Sequence, residues 1–297
     1  SGDMDNDGDI DYVVSDKGTG GDPPRLFWYE KQNDGSYVQH LIQEGPDFDQ
    51  AAVADFNGDE RLDIVSVGFR QDSIYTFINE GSGSFNKQLL FGNPTQVTLV
   101  EVDDMDNDGD VDIVLGGGSS TDSFRLYFNN GNAGFDSVKV LETLPRYSSA
   151  RFGLAIADLN KDGSKDILAF SGIGLGGLYL MDGSNNFNSK LLDIDGIDLG
   201  GDILVHDMDG NGLPDIFRQN VGDDYLTLLY QDEPLVFRNV TIENQWDNQG
   251  SAQMSIADLD MDGDPDLIFP ENGNVDGDIS WFENIDGSLY RHYLYGE

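Results

Sequence analysis

The apolar positions of this chain fall in short runs rich in β-branched and aromatic residues, separated by clusters of Gly, Asn, Asp and Ser. Such runs predict strands joined by turns. Four of them recur about every fifty residues, so each repeat reads as a four-stranded antiparallel sheet. In the last repeat the inner strand is expected at 252–257, the second at 266–269, the third at 279–283 and the outer at 289–293. Third strands rich in aromatic residues are expected earlier at 26–30, 74–77, 126–128 and 178–180.

Six repeats follow, at about 1–47, 48–95, 96–148, 149–198, 199–248 and 249–297, within a single domain spanning 1–297. One four-stranded sheet cannot bury both faces, but sheets stacked radially can, which predicts an all-β fold, a β-propeller of four-stranded antiparallel blades. Ser1 and Gly2 are too short to supply an inner strand for the first repeat, so 23 strands are expected, not 24. The missing strand, with a seventh blade, could lie upstream in a longer precursor, or a neighbouring subunit could donate the strand by edge pairing.

Between the first and second strand of every repeat lies one nine-residue pattern, D-x-[DN]-x-[DN]-x-x-x-D, with starts 49 to 54 residues apart. Side chains at positions 1, 3, 5 and 9 and the carbonyl at position 7 turn oxygens towards one centre, which is hard-cation chemistry matching calcium. The first loop offers Asp3, Asp5, Asp7, Asp9 and Asp11, and the second Asp55, Asn57, Asp59, Arg61 and Asp63. Asp104, Asp106, Asp108, Asp110 and Asp112 form the third, and Asp158, Asn160, Asp162, Ser164 and Asp166 the fourth. The fifth has Asp207, Asp209, Asn211, Leu213 and Asp215, and the sixth Asp258, Asp260, Asp262, Asp264 and Asp266. Up to six calcium ions are therefore expected.

A glycine at position 6 permits the bend, except that Glu60 stands there in the second loop. Counting carboxylates, the first, third and sixth loops should hold the ion most tightly and the second and fifth should release it first. An EF-hand would need a bidentate Glu at position 12 and flanking helices, whereas Val14, Ser66 and Leu115 stand there in strand-like surroundings.

Through Asp104-Met105-Asp106-Asn107-Asp108-Gly109-Asp110-Val111-Asp112-Ile113-Val114 and its five counterparts, the chain resembles the FG-GAP/VCBS repeat family, the propellers of integrin α chains and of many secreted bacterial proteins. The resemblance covers nearly the whole chain and implies a propeller with calcium in each loop between first and second strands. Two features depart from it. Phe-Gly precedes a loop only at Phe152-Gly153, and family propellers often have seven blades where six motifs occur here.

Charge fits the cation reading. Sixteen Lys and Arg stand against 56 Asp and Glu, a formal net charge of -40, which disfavours nucleic acid and anionic membranes as partners. More than a third of the acids lie in the loops, so metal binding should be coupled to folding. With no cysteine there is neither a disulfide framework nor a thiolate site. The opening Ser1-Gly2-Asp3 falls inside a motif, which predicts a processed or partial chain.

Catalytic signals are weak. The three histidines, His40, His206 and His292, lie in different repeats, and Gly172-Ile173-Gly174-Leu175-Gly176-Gly177 is followed by a strand where a dinucleotide site needs a helix. Enzymatic activity is not expected. The loops opposite the calcium face are longer and more varied, and Arg70, Arg146, Tyr147, Arg151 and Trp246 there suit a sugar or an acidic peptide. Loops of modest affinity fill only where calcium is plentiful, which predicts a secreted or cell-surface protein. The expected function is an extracellular adhesion or recognition module for protein or glycan. The alternatives are a filament subunit completed by strand donation, which would pair with copies of itself, and a polysaccharide-cleaving enzyme on a propeller scaffold.

Overall fold

Every nine-residue loop closes a hairpin whose register is the same throughout. The residue before the loop pairs with the loop's ninth residue: Ala54 with Asp63, Asp103 with Asp112, Ala157 with Asp166, His206 with Asp215 and Ala257 with Asp266. In the first loop the same pair, Gly2 with Asp11, survives as an isolated bridge. The computed structural model describes residues 1–18, 21–45, 47–68, 73–92, 97–117, 123–143, 152–171, 177–192, 194, 203–219, 225–243, 254–270, 279–285 and 287–295. Within them the chain forms 23 strands, as expected, and one 3-10 turn at Gly183–Asn185. No helix among these residues is long and apolar enough to cross a membrane.

The chain divides into two compact units, Ser1–Leu144 and Pro145–Glu297. In the first unit, β1 (Tyr12–Asp16), β2 (Arg25–Lys31) and β3 (Tyr37–Glu44) make a three-stranded sheet in that order. Two four-stranded sheets follow: β4 (Gln50–Ala54), β5 (Asp63–Val67), β6 (Ser73–Gly81) and β7 (Ser84–Gly92), then β8 (Leu99–Asp103), β9 (Asp112–Gly116), β10 (Ser123–Phe128) and β11 (Ser137–Thr143). The second unit repeats the plan with β12 (Phe152–Ala157), β13 (Asp166–Ser171), β14 (Gly177–Asp182) and β15 (Asn188–Leu192), and with β16 (Ile203–His206), β17 (Asp215–Gln219), β18 (Tyr225–Glu233) and β19 (Val236–Glu243). Its last sheet is β20 (Ser255–Ala257), β21 (Asp266–Pro270), β22 (Ile279–Ile285) and β23 (Ser288–Tyr295). All pairings are antiparallel and sequential, the meander of a propeller blade, and the fold is a β-propeller with six blades.

Burial follows from stacking blade on blade. The second strands β5 and β9 are buried at all five residues, because both faces of the sheet are covered there. Position 2 of each loop, between the side chains of positions 1 and 3, is apolar in all six repeats: Met4, Phe56, Met105, Leu159, Met208 and Leu259. The first five are buried, and four of them join a core shared with the following blade. Met4 packs with Ile64 and Phe77, Phe56 with Ile113 and Tyr127, Leu159 with Ile216 and Leu229, and Met208 with Leu267 and Phe282. The acidic loop is thus pinned to the hydrophobic core by its own second residue, whose full burial contributes roughly 1.5–3 kcal/mol.

Candidate metal centres

Each loop is wound by its own carboxylates. The position-1 side chain accepts the backbone N–H of position 6 in every loop, at 2.9, 2.7, 2.9, 3.0, 2.7 and 3.1 Å in chain order. The position-5 side chain accepts the N–H of position 7 at 2.7–3.0 Å. This winding needs left-handed backbone at two places. Position 6 supplies one as the motif implies, and Glu60 adopts it with φ 66° in place of glycine. Position 4 supplies the other, with Asn6, Asn107, Lys161 and Met261 at φ between 59° and 63°. Asparagine at position 4 signals that conformation in sequence; lysine and methionine do not.

Position 9 does more than close the cage. Asp11, Asp63, Asp112, Asp166, Asp215 and Asp266 are all 0–1% exposed, and each uses both carboxylate oxygens. One oxygen accepts the N–H of position 2, from Met4, Phe56, Met105, Leu159, Met208 or Leu259, at 2.8–3.1 Å. The other accepts the N–H at the end of the third strand or just past it, from Lys31, Asn79, Asn129, Gly183, Gln231 or Asn284, at 2.7–3.0 Å. The aspartate therefore staples loop to blade. Burial is the main reason the carboxyls of Asp63, Asp112, Asp166 and Asp215 are pushed up to about 6, the hydrogen bonds only partly offsetting it.

Replacing Asp112 by alanine is expected to cost about 2–6 kcal/mol at pH 5, since it strands two buried N–H groups, those of Met105 and Asn129, at about 1–3 kcal/mol each. At pH 8 without divalent ions the loss should be smaller, because an ionised buried carboxylate disappears with the bonds. Urea unfolding at both pH values checks this; a loss under about 1 kcal/mol at pH 5 would mean that the staple is not structural.

Four loops focus three carboxylates on one point. In each, three side chains offer oxygens that lie within 4.8 Å of one another: Asp3, Asp5 and Asp11; Asp104, Asp106 and Asp108; Asp207, Asp209 and Asp215; Asp258, Asp260 and Asp262. Burial first, and neighbouring carboxylates next, hold Asp5 and Asp106 above the ordinary carboxylate range. In the fifth loop Asp207 Oδ1 is buried without a hydrogen-bond partner among the described residues, an acceptor left for a cation. All-oxygen clusters of this kind fit a hard divalent ion. The second and fourth loops carry an amide at position 3 instead, and Asn57 Nδ2 and Asn160 Nδ2 each donate to the position-5 carboxylate, Asp59 or Asp162, at 2.9 Å.

Three asparagines missed in the sequence tie these loops across blades. Asn79 Nδ2 donates to the Met4 carbonyl, Asn129 Nδ2 to that of Phe56 and Asn284 Nδ2 to that of Met208, at 2.8, 2.8 and 2.7 Å. Each also turns its own hairpin by accepting the N–H of Gly81, Gly131 or Gly287. The asparagine-before-glycine spacing was the available signal. His40 and His292 occupy corresponding places opposite Trp28 and Trp281, hydrogen-bonded to Glu30 and Glu283 at 2.7 and 2.6 Å. Arg70, Arg146, Tyr147, Arg151 and Trp246 lie outside the described residues, as do the first five residues of the glycine run beginning at Gly172.

A family model described as an FG-GAP-like repeat matches residues 3–66, 55–115, 104–169 and 207–269. No curated protein matches the chain. Among solved structures, the chain is similar to the crystal structure of a functionally unknown protein from Desulfotomaculum acetoxidans DSM 771, with 14% identity and a TM-score of 0.53, over 90% of this chain and 74% of that one. At that identity the likeness concerns the fold alone.

Proposed function

The chain belongs to the FG-GAP-like repeat family, and from that premise we propose that it is a calcium-stabilised β-propeller acting outside the cell as a non-enzymatic recognition module for protein or glycan. The observation that carries the calcium reading is the convergence of three carboxylates in each of four loops, with the buried Asp207 Oδ1 lacking a hydrogen-bond partner among the described residues. Bound calcium would supply positive charge at the centre of each cluster; the chain's own residues wind the loop, fix the oxygens and anchor the loop to the core. The ion's role is architectural, because position 9 hands the loop's geometry directly to the third strand. Extracellular placement is supported by the modest affinity of such sites, about 10⁻⁴ to 10⁻³ M in extracellular modules. Recognition would fall to the loops between blades opposite the metal centres.

A second reading is a filament subunit completed by strand donation; among the described residues the first blade holds three strands, β1, β2 and β3. One experiment separates the two. Calcium is titrated into chelated protein while thermal unfolding and particle size are followed together. A rise in melting temperature at constant size supports the module; growth into polymers supports the filament. No response of either kind removes the calcium assignment.

A further inference from the structure

Among the six loops the second alone carries a cationic side chain within the motif at position 7: Arg61 stands where the others have Asp9, Asp110, Ser164, Leu213 and Asp264. Its guanidinium reaches back into the loop. Arg61 Nη2 donates to Asp59 Oδ2, the position-5 carboxylate, and Arg61 Nε donates to the Asn79 carbonyl at 2.9 Å. The planar fork is held at two points, on the loop and on the end of β6, and Asn79 is itself fixed by donating its N–H to Asp63 Oδ1 at 2.7 Å.

The remaining oxygens of this loop are equally engaged. Asp59 Oδ2 also accepts Asn57 Nδ2, and Asp59 Oδ1 accepts the Arg61 N–H at 3.0 Å. Asp55 Oδ1 accepts the N–H groups of Asn57, Gly58 and Asp59, and Asp55 Oδ2 accepts that of Glu60. In the first loop, by contrast, the nearby cation is spent elsewhere: Lys31 Nζ lies 3.0 Å from Asp9, a side chain outside the converging set. Asp207 Oδ1 of the fifth loop, which no donor among the described residues meets, is the opposite extreme.

We propose that the second loop has its charge partly offset by its own Arg61 and holds no divalent cation, so that it is the metal-independent blade joint of the first unit. The inference rests on the calcium reading for the other loops. A guanidinium in contact with Asp59 occupies the charge that an ion would need and repels any ion brought beside it. Because this positive charge belongs to the chain itself, the joint keeps its geometry when calcium is withdrawn.

Counting bound calcium by equilibrium dialysis tests the proposal. Asp59→Asn should leave the number of ions unchanged, and Arg61→Ser should raise it by one, with Asp260→Asn in the sixth loop losing one as the control. Loss of an ion in Asp59→Asn, or no gain in Arg61→Ser, overturns it. Should Arg61→Ser not fold, the unmodified protein still answers: the Arg61 Nε–H resonance should stay in place through a calcium titration, and its displacement overturns the proposal. If wild-type protein binds no calcium at all, the calcium reading fails on its own. The Arg61 pair is then judged in chelator by the denaturation midpoints of Arg61→Ser, Asp59→Asn and the double variant, where non-additive shifts support it and additive shifts overturn it.

Discussion

Calcium at 10 mM is expected to raise the melting temperature of chelated protein by about 20 °C at pH 7.5. A ligand present at about 100 times its dissociation constant stabilises the state that binds it by about 2.7 kcal/mol per site, and sites near 10⁻⁴ M reach that ratio at this concentration. Only the four loops with three converging carboxylates enter the sum, so the total is about 11 kcal/mol, at roughly 2 °C per kcal/mol for a chain of this size. The distribution matters as much as the total. The first and third loops lie in Ser1–Leu144 and the fifth and sixth in Pro145–Glu297, so both units should shift together even if they melt separately. A shift confined to one unit would show that the clusters are unequal; no shift in either would leave the carboxylates as a solvated acidic surface, and the calcium reading would fall. Magnesium is a sharper control than salt. It demands near-octahedral geometry and gives up its water reluctantly, so the same concentration should stabilise far less.

The six loops and the 23 strands were legible because their signals are local. A nine-residue motif carries its own turn chemistry, and a strand carries its own apolar run, so each repeat can be read without its neighbours. The clamps were not legible for the converse reason. Asn79 meets Met4 and Asn129 meets Phe56 across more than seventy residues of chain, and nothing within either short stretch announces the partner. The role of position 2 was hidden in the same way. Met4 and Phe56 sit among carboxylates and look like loop residues, yet they are buried because the neighbouring blade covers them. Arg61 marks a third limit. A motif read by backbone position counts its carbonyl as a ligand, while the side chain on the same residue turns back to offset part of the cage's charge. Carboxylate counting ranked the fifth loop low because of Asn211; in the structure Asp207, Asp209 and Asp215 converge there without it, since the buried position-9 aspartate turns an oxygen inward.

The buried staples also set how stability should respond to acid. In Asp63, Asp112, Asp166 and Asp215 the carboxyl is pushed from 3.8 up to about 6, chiefly by burial. Between about pH 4 and pH 6 the folded chain therefore keeps protons that the unfolded chain has released, and its stability must fall as pH rises through that window. Each group contributes about 3 kcal/mol across two pH units, and four in separate loops sum to about 12 kcal/mol, comparable to the whole stability of an ordinary domain. Glu30, Asp34 and Asp162 act in the other direction, since hydrogen bonds hold them below the ordinary range, but their stabilisation is lost only at lower pH, Glu30 is only partly buried, and Asp34 and Asp162 are exposed. In chelator, then, the melting temperature should drop steeply between about pH 4 and pH 6 and flatten above that. Calcium should remove about half of that drop: Asp112 and Asp215 lie in loops whose carboxylates converge, where at neutral pH the cation takes over the neutralisation that protons provide in acid, whereas Asp63 and Asp166 do not. The pair of profiles distinguishes causes that either alone would confuse. A fall with pH that calcium leaves undiminished would trace to the general repulsion of a chain with net charge -40, not to the loops. A rise with pH in chelator would show that the staples are ionised at no cost in the folded chain, and that burial of position 9 is not what couples these blades to their ions.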